Sequence, residues 1–281
     1  MKPCVHATEG IPGGSRQQHR DTLLTAPAKL KAAPLVADES DAVIRTEWYA
    51  SADNRREAFA LRYRGYVHAG LIQPSPFGIY SDAYDELPTT IIAGLYRRGA
   101  CIATLRLSFY KPGSEAPALP CEKVYPEIPG IKAAAQGMVV ELSRLAIDPE
   151  ITNTRYRARL YAAAIRAGVS ACLAMDAKHL LVATQTKWRT FYEHVMNFKA
   201  VGPPQFYPPG DVPVVLLARP LDNGLKSRIA RNMFFKIDPA ELDDLKSRLP
   251  SLLRFDQPAP MPDDQFRRNG AHELVDKRHS V

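Results

Sequence analysis

The chain has 281 residues, 46% hydrophobic and 24% charged, a composition ordinary for a globular protein with one sizeable core. No apolar run approaches the roughly 18 residues a membrane helix needs, and Met1 to Arg16 lacks the apolar block of a secretory signal, so the expected location is cytoplasmic. Cys4, Cys101, Cys121 and Cys172 show no paired spacing, and none of the seven histidines has metal-ligand spacing, which speaks against a zinc site or disulfide framework. The net charge of +7 suits an acidic partner, nucleic acid or an anionic membrane, and its distribution narrows the choice. Between Ile151 and Ala200 stand eight basic and two acidic residues, a local net charge of +6.

Residues 1–40 mix Gly, Pro, Ser, Gln and Ala without periodicity and are expected to form a flexible arm. Val43 to Tyr49 predicts a strand, and Asp53 is placed to cap a helix running to His68. A long loop from Leu71 to Pro88 follows, of the length that often carries function. Thr90 to Tyr96 and Cys101 to Phe109 predict a hairpin across Arg97-Arg98-Gly99-Ala100. Lys111 to Gly137, with five prolines, reads as a second long connection. Then come a strand containing Glu141, a helix from Asn153 to Met175, a strand at His179 to Thr184 and a short helix from Lys187 to His194. Strands near Phe198 and at Val212 to Ala218 follow. Beyond Pro220 two helices are expected, Asn223 to Phe235 and Pro239 to Arg248, before a polar tail from 258. Early antiparallel strands followed by a strand-helix-strand unit predict an α/β (α+β) fold with a mixed, mostly antiparallel sheet flanked by helices. The division follows: an arm over 1–40, a catalytic domain over 41–220, a helical extension over 221–257 and a tail over 258–281.

Val139-Val140-Glu141-Leu142-Ser143-Arg144-Leu145-Ala146-Ile147-Asp148 sets an acid, a hydroxyl and a guanidinium inside an apolar strand. Charges buried there are costly unless paired, so this segment signals either a polar pocket or a structural ion pair. A regular strand would put Glu141 and Ser143 on one face and Arg144 on the other. Cooperation between Glu141 and Arg144 needs the strand to bend, as a β-bulge would make it.

Upstream lie Leu61-Arg62-Tyr63-Arg64-Gly65-Tyr66-Val67, then Asp82 and Asp85, then Thr104-Leu105-Arg106-Leu107. This order resembles the acyl-homoserine-lactone synthases and, more closely, the N-acyl amino acid synthases of the FeeM type, branches of the N-acetyltransferase-like (GNAT-like) fold. The likeness spans roughly residues 43 to 219 and is most specific in the E-x-S-R-L-A-[IV] and [TL]-x-R-L strands. It implies transfer of a fatty acyl group from the phosphopantetheine arm of acyl carrier protein to the amine of an amino acid, with no permanently bound cofactor. It also implies such a bulge, expected between Glu141 and Arg144, whose freed N–H could polarise the thioester carbonyl.

In that scheme Glu141 accepts the amine proton, and Tyr192 lies near the leaving sulfur or is simply a core aromatic. Asn197-Phe198 stands where the related pattern has Gly-Phe one residue nearer to Tyr192. Arg106 and Arg144 line the acceptor pocket, where either could clamp a carboxylate. Asp82 and Asp85 either pair with Arg62, Arg106 or the acceptor amine, or stabilise a turn.

Coenzyme A transferases of this fold carry a glycine-bearing loop whose amides cradle a diphosphate. Here the sequence is Asn153-Thr154-Arg155-Tyr156-Arg157-Ala158-Arg159, without glycine. Arg155, Arg159 and Arg166 fall within about 40° on a helical wheel, a one-signed stripe suited to an acidic carrier protein or to solvent. Arg157 turns toward the packed side, where it could meet the single pantetheine phosphate. No nucleic-acid partner is expected, though the lipid product could bring peripheral membrane contact. Two alternatives remain: a lactone synthase using S-adenosylmethionine, or a non-catalytic module binding carrier protein or nucleic acid. Leu71-Ile72-Gln73 in place of a tryptophan, and Tyr80 in place of an acid, depart from the lactone synthases.

Overall fold

The computed structural model describes residues 44–50, 55–114, 119–207, 209–210, 212–231 and 236–257. The expected arm, the polar tail and the capping role of Asp53 lie outside these described residues. Among the described residues seven strands form one sheet: β1 (Arg45–Tyr49), β2 (Thr90–Arg97), β3 (Ala100–Tyr110), β4 (Val139–Ile147), β5 (His179–Gln185), β6 (Lys199–Phe206) and β7 (Pro213–Pro220). Their spatial order is β1-β2-β3-β4-β5-β7-β6, with β4 and β5 parallel and the other neighbours antiparallel. Among the described residues six α-helices flank them: α1 (Arg56–His68), α2 (Ile128–Ala134), α3 (Thr154–Ala174), α4 (Arg189–Met196), α5 (Asn223–Arg231) and α6 (Pro239–Leu252).

The β2–β3 turn uses Arg98 and Gly99 at φ 50° and 82°, the paired left-handed geometry that matches strand twist in two-residue hairpins. Along β3 the alternation is plain: Leu105, Leu107 and Phe109 face the main core, while Thr104, Arg106 and Ser108 face the opposite side. The second face is covered by α1, where Gly65 comes close to Ala146. Gly168 of α3 presses on the first face, since a Cβ there would lie 2.9 Å from both Leu105 Cδ2 and Leu142 Cδ1.

Leu245, Leu249 and Leu253, from α6 and its C-terminal end, join the same core as α3, so the C-terminal helices share the hydrophobic centre of the sheet. That packing buries the C-terminal half of α3 on more than one side. Arg155 and Arg159 are exposed, but Arg166 is half-buried, so the expected arginine stripe is shorter than the helical wheel implies.

The 111–137 connection holds more structure than its prolines suggest: a 3-10 turn at Pro120–Lys123, and α2, with proline in its first turn. Leu119, Cys121, Tyr125 and Ile128 pack with Val139, Leu181, Tyr207 and Leu216, roofing the half of the sheet that α1 leaves uncovered. Among the described residues no helix is long and apolar enough to cross a membrane.

Candidate active site

β4 and β5 pair only from Val139–Leu142 against His179–Val182. Beyond Leu142, β4 follows β3 while β5 follows β7, and the two strands part. A cleft of about 260 Å³ occupies the gap. Its apolar wall carries Leu105, Leu142, Ile165 and Val182 with Tyr161, Trp188 and Tyr192, and its polar wall carries Tyr66, Ser143, Arg144 and Tyr207. Beyond Leu142, β4 has no strand partner on the β5 side among the described residues.

The bulge is present but one step further along than expected. Ser143 still pairs with Arg106, and Ala146 pairs with Thr104, so Arg144 and Leu145 together oppose Leu105. Arg144 adopts φ 57°, a left-handed conformation unusual for a residue with a side chain. The twist puts its guanidinium among the groups on the α1 side.

There it meets Asp82 rather than Glu141. Asp82 Oδ2 accepts from Arg144 Nη2 at 2.6 Å and Nε at 2.9 Å, and Asp82 Oδ1 accepts from Arg106 Nη1 at 2.5 Å. Arg62 Nη1 donates to Asp85 Oδ2 at 2.7 Å, and Arg106 Nε reaches Ser143 Oγ at 3.2 Å. Asp85 also receives the Asp82 N–H, closing a capping box around the turn at Ala83–Glu86, so both carboxylates bind arginines and shape the loop. Burial alone would raise the Asp82 carboxyl, but Arg106 and Arg144 hold it well below the usual carboxylate range. Arg106 and Arg144 are thus both committed to Asp82, and Arg106, fully buried, keeps Nη2 without a hydrogen bond among the described residues.

Glu141 is fully buried beneath the connection that contains Cys121, whose N–H donates to Oε2 at 2.9 Å. Burial pushes its carboxyl upward against the opposing pull of Cys121 and Arg106. Glu141 does not line the cleft, whereas Ser143 and Arg144 from the same strand do.

Tyr192 lines the apolar side of the cleft and accepts a 2.7 Å hydrogen bond from the Tyr161 hydroxyl; Trp188 stacks on Tyr161 at 4.9 Å. Asn197 ends α4 in a left-handed conformation, φ 54°, the position where glycine is the usual choice, and Phe198 then packs on Tyr192 at 5.6 Å. That accounts for asparagine at a position suited to glycine, while the one-residue offset from Tyr192 stands.

At the start of α3, the Asn153 side chain already accepts the Tyr156 N–H at 3.0 Å. Arg157 lines the cleft, but its Nη1 donates to the carbonyls of Asp148 and Ile151, each at 2.9 Å, and burial lowers its pKa. It braces the β4–α3 loop. Tyr207, Cys121 and Tyr161 were not singled out by the sequence; Tyr207 sits in a Pro-rich stretch that reads as a loop. Among the described residues no three His, Cys, Asp or Glu groups converge to hold a metal.

A mostly antiparallel sheet that bulges at β4 and opens between β4 and β5 is the N-acetyltransferase-like fold, built here as an acyltransferase. The family model for the N-acyl amino acid synthase FeeM matches residues 57–220, and the chain belongs to that family. The solved structure of FeeM, an N-acyl amino acid synthase from uncultured soil microbes, is 16% identical with a TM-score of 0.51, covering 70% of this chain and 100% of that chain. The crystal structure of the acyl-homoserine-lactone synthase LasI has a TM-score of 0.51 at 18% identity, covering 66% of this chain and 93% of that chain. No curated protein matches the sequence.

Proposed function

We propose that this acyltransferase moves a fatty acyl group from acyl carrier protein to the amine of an amino acid. The observation that carries the reading is the two-sided cleft at the parting of β4 and β5, apolar against α3 and α4, polar along Ser143, Arg144 and Tyr207. An acyl chain fits the first wall, and a zwitterionic acceptor fits the second. The thioester carbonyl lies between them, against the unpaired edge of β4.

The donor assignment is supported by the start of α3. A diphosphate needs several free backbone amides, but here Asn153 occupies one and no glycine opens the loop. A carrier protein brings one phosphate and an acidic surface, which the exposed Arg155 and Arg159 suit. Glu141 takes the proton that the amine loses, and Tyr192 faces the leaving sulfur. Arg106 and Arg144, fixed by Asp82, set the field on the acceptor side, and Arg62 holds Asp85 in place.

Incubating the chain with acyl carrier protein bearing a fatty acyl group, a mixture of amino acids and S-adenosylmethionine tests the reading by product mass. An N-acyl amino acid is expected. An acyl-homoserine lactone would move the chain to the other acceptor class, and salt-sensitive DNA binding without any product would make it a binder.

A further inference from the structure

Beside the polar wall of the cleft lie buried atoms that no described residue satisfies. Glu141 Oε1, Tyr207 Oη and Arg106 Nη2 are all buried without a hydrogen-bond partner among the described residues. They come from β4, the segment after β6, and β3. Unpartnered buried polar atoms are rare in folded proteins and mark places where a small polar group belongs.

Two of them share a neighbour: Cys121 donates its N–H to Glu141 and packs in one cluster with Tyr207. Glu141 is sealed from the cleft, while Tyr207 lines it at 5% exposure. Tyr207 packs in one cluster with Cys121, and its ring lies 5.5 Å from the Arg144 guanidinium carbon. Cys121 holds the Glu141 carboxylate through its N–H on Oε2 and through its thiol, and Oε1 keeps no hydrogen bond of normal geometry among the described residues.

We propose that Tyr207 is the proton relay between the cleft and Glu141, bridged to Glu141 Oε1 by one water-sized polar group. This rests on the assignment of Glu141 as the proton acceptor. As the amine nitrogen bonds to the thioester carbon, its proton passes through a water-sized group at the cleft wall to the buried Tyr207 Oη, and the Tyr207 proton moves through the bridge to Glu141. Collapse of the tetrahedral intermediate breaks the C–S bond, the sulfur keeps the electron pair, and the proton returns by the same path to the thiolate. Burial, with Glu141 next in effect, raises the Tyr207 phenol, so it stays neutral and can donate and accept at once. The groups that bear on Glu141 are Cys121, Arg106, Arg144, Tyr84 and Tyr207.

Tyr207→Phe keeps the ring over Arg144 and removes only the hydroxyl. It is expected to fold normally, lower kcat roughly 10²-fold and leave KM for the donor unchanged. A relay acts only through its acceptor, so Tyr207→Phe/Glu141→Gln should be no slower than Glu141→Gln alone. A second readout needs no substrate: the infrared band of protonated Glu141, identified by its loss in Glu141→Gln, should shift in position and titration midpoint in Tyr207→Phe. Additive kinetic losses, or an unmoved band, overturn the relay. If the wild-type chain acylates no amino acid, the proposed function fails, and the infrared band alone decides whether Tyr207 and Glu141 are connected.

Discussion

Asp82 grips Arg144 with one carboxylate oxygen, accepting from Nη2 at 2.6 Å and Nε at 2.9 Å across 62 positions of sequence. The same side chain holds Arg106 through its other oxygen at 2.5 Å. One loop carboxylate therefore ties β3 to the bulge of β4 and holds Arg144 in its left-handed conformation at the cleft wall.

Asp82→Asn should then cost about 3–5 kcal/mol of stability, because two buried guanidiniums lose their shared charge partner. The pH dependence has a defined sign. The folded carboxyl lies below its ordinary 3.8, so its contribution is present above that value and is lost as pH falls below it. Urea unfolding of both forms should show a gap at neutral pH that narrows in acid. A gap that stays constant with pH would detach Asp82 from the network.

Glu141 behaves oppositely. Its folded pKa is raised above the ordinary 4.5 by burial, so its contribution is fully present below 4.5 and is lost as pH rises through the folded value. Glu141→Gln can still accept the Cys121 N–H and carries no charge. The variant should match the wild type in stability below 4.5 and exceed it at neutral pH, while turnover falls by about 10² or more. A less stable variant at neutral pH would mean that the charge is compensated.

Gly168→Ala probes the apolar wall. The added methyl meets Leu105 and Leu142 at 2.9 Å, and both leucines line the cleft. Overpacking should cost about 1–3 kcal/mol, more than the roughly 1 kcal/mol that alanine gains over glycine in a helix. Displaced leucines narrow the cleft, so the preferred acyl chain should shorten. An unchanged chain-length profile would place the acyl group elsewhere.

The sheet was legible because periodicity and turn chemistry agree: the hairpin at Arg98-Gly99 and the α3 limits at Asn153 and Met175 match the structure within a residue or two. Glu141, Arg106, Asp82 and Asp85 could be singled out because charge inside apolar strands, or repeated in a long loop, is conspicuous. Which acid meets which arginine was not legible. Ion pairs join residues distant in sequence, and the partner of Arg144 is set by a bulge that falls at Arg144 itself. Helix α2 was hidden by prolines that mark loops more often than first turns. The half-burial of Arg166 depends on tertiary packing, which no local pattern states.

The donor assignment is tested most directly by comparing kcat/KM for the same acyl group on acyl carrier protein and on coenzyme A, in low and moderate salt. The expected result is a carrier-protein preference of about tenfold or more that weakens as salt rises, and that is lost through KM when Arg155 and Arg159 are changed to Glu. Equal use of the two donors, indifferent to salt and to both substitutions, would contradict it.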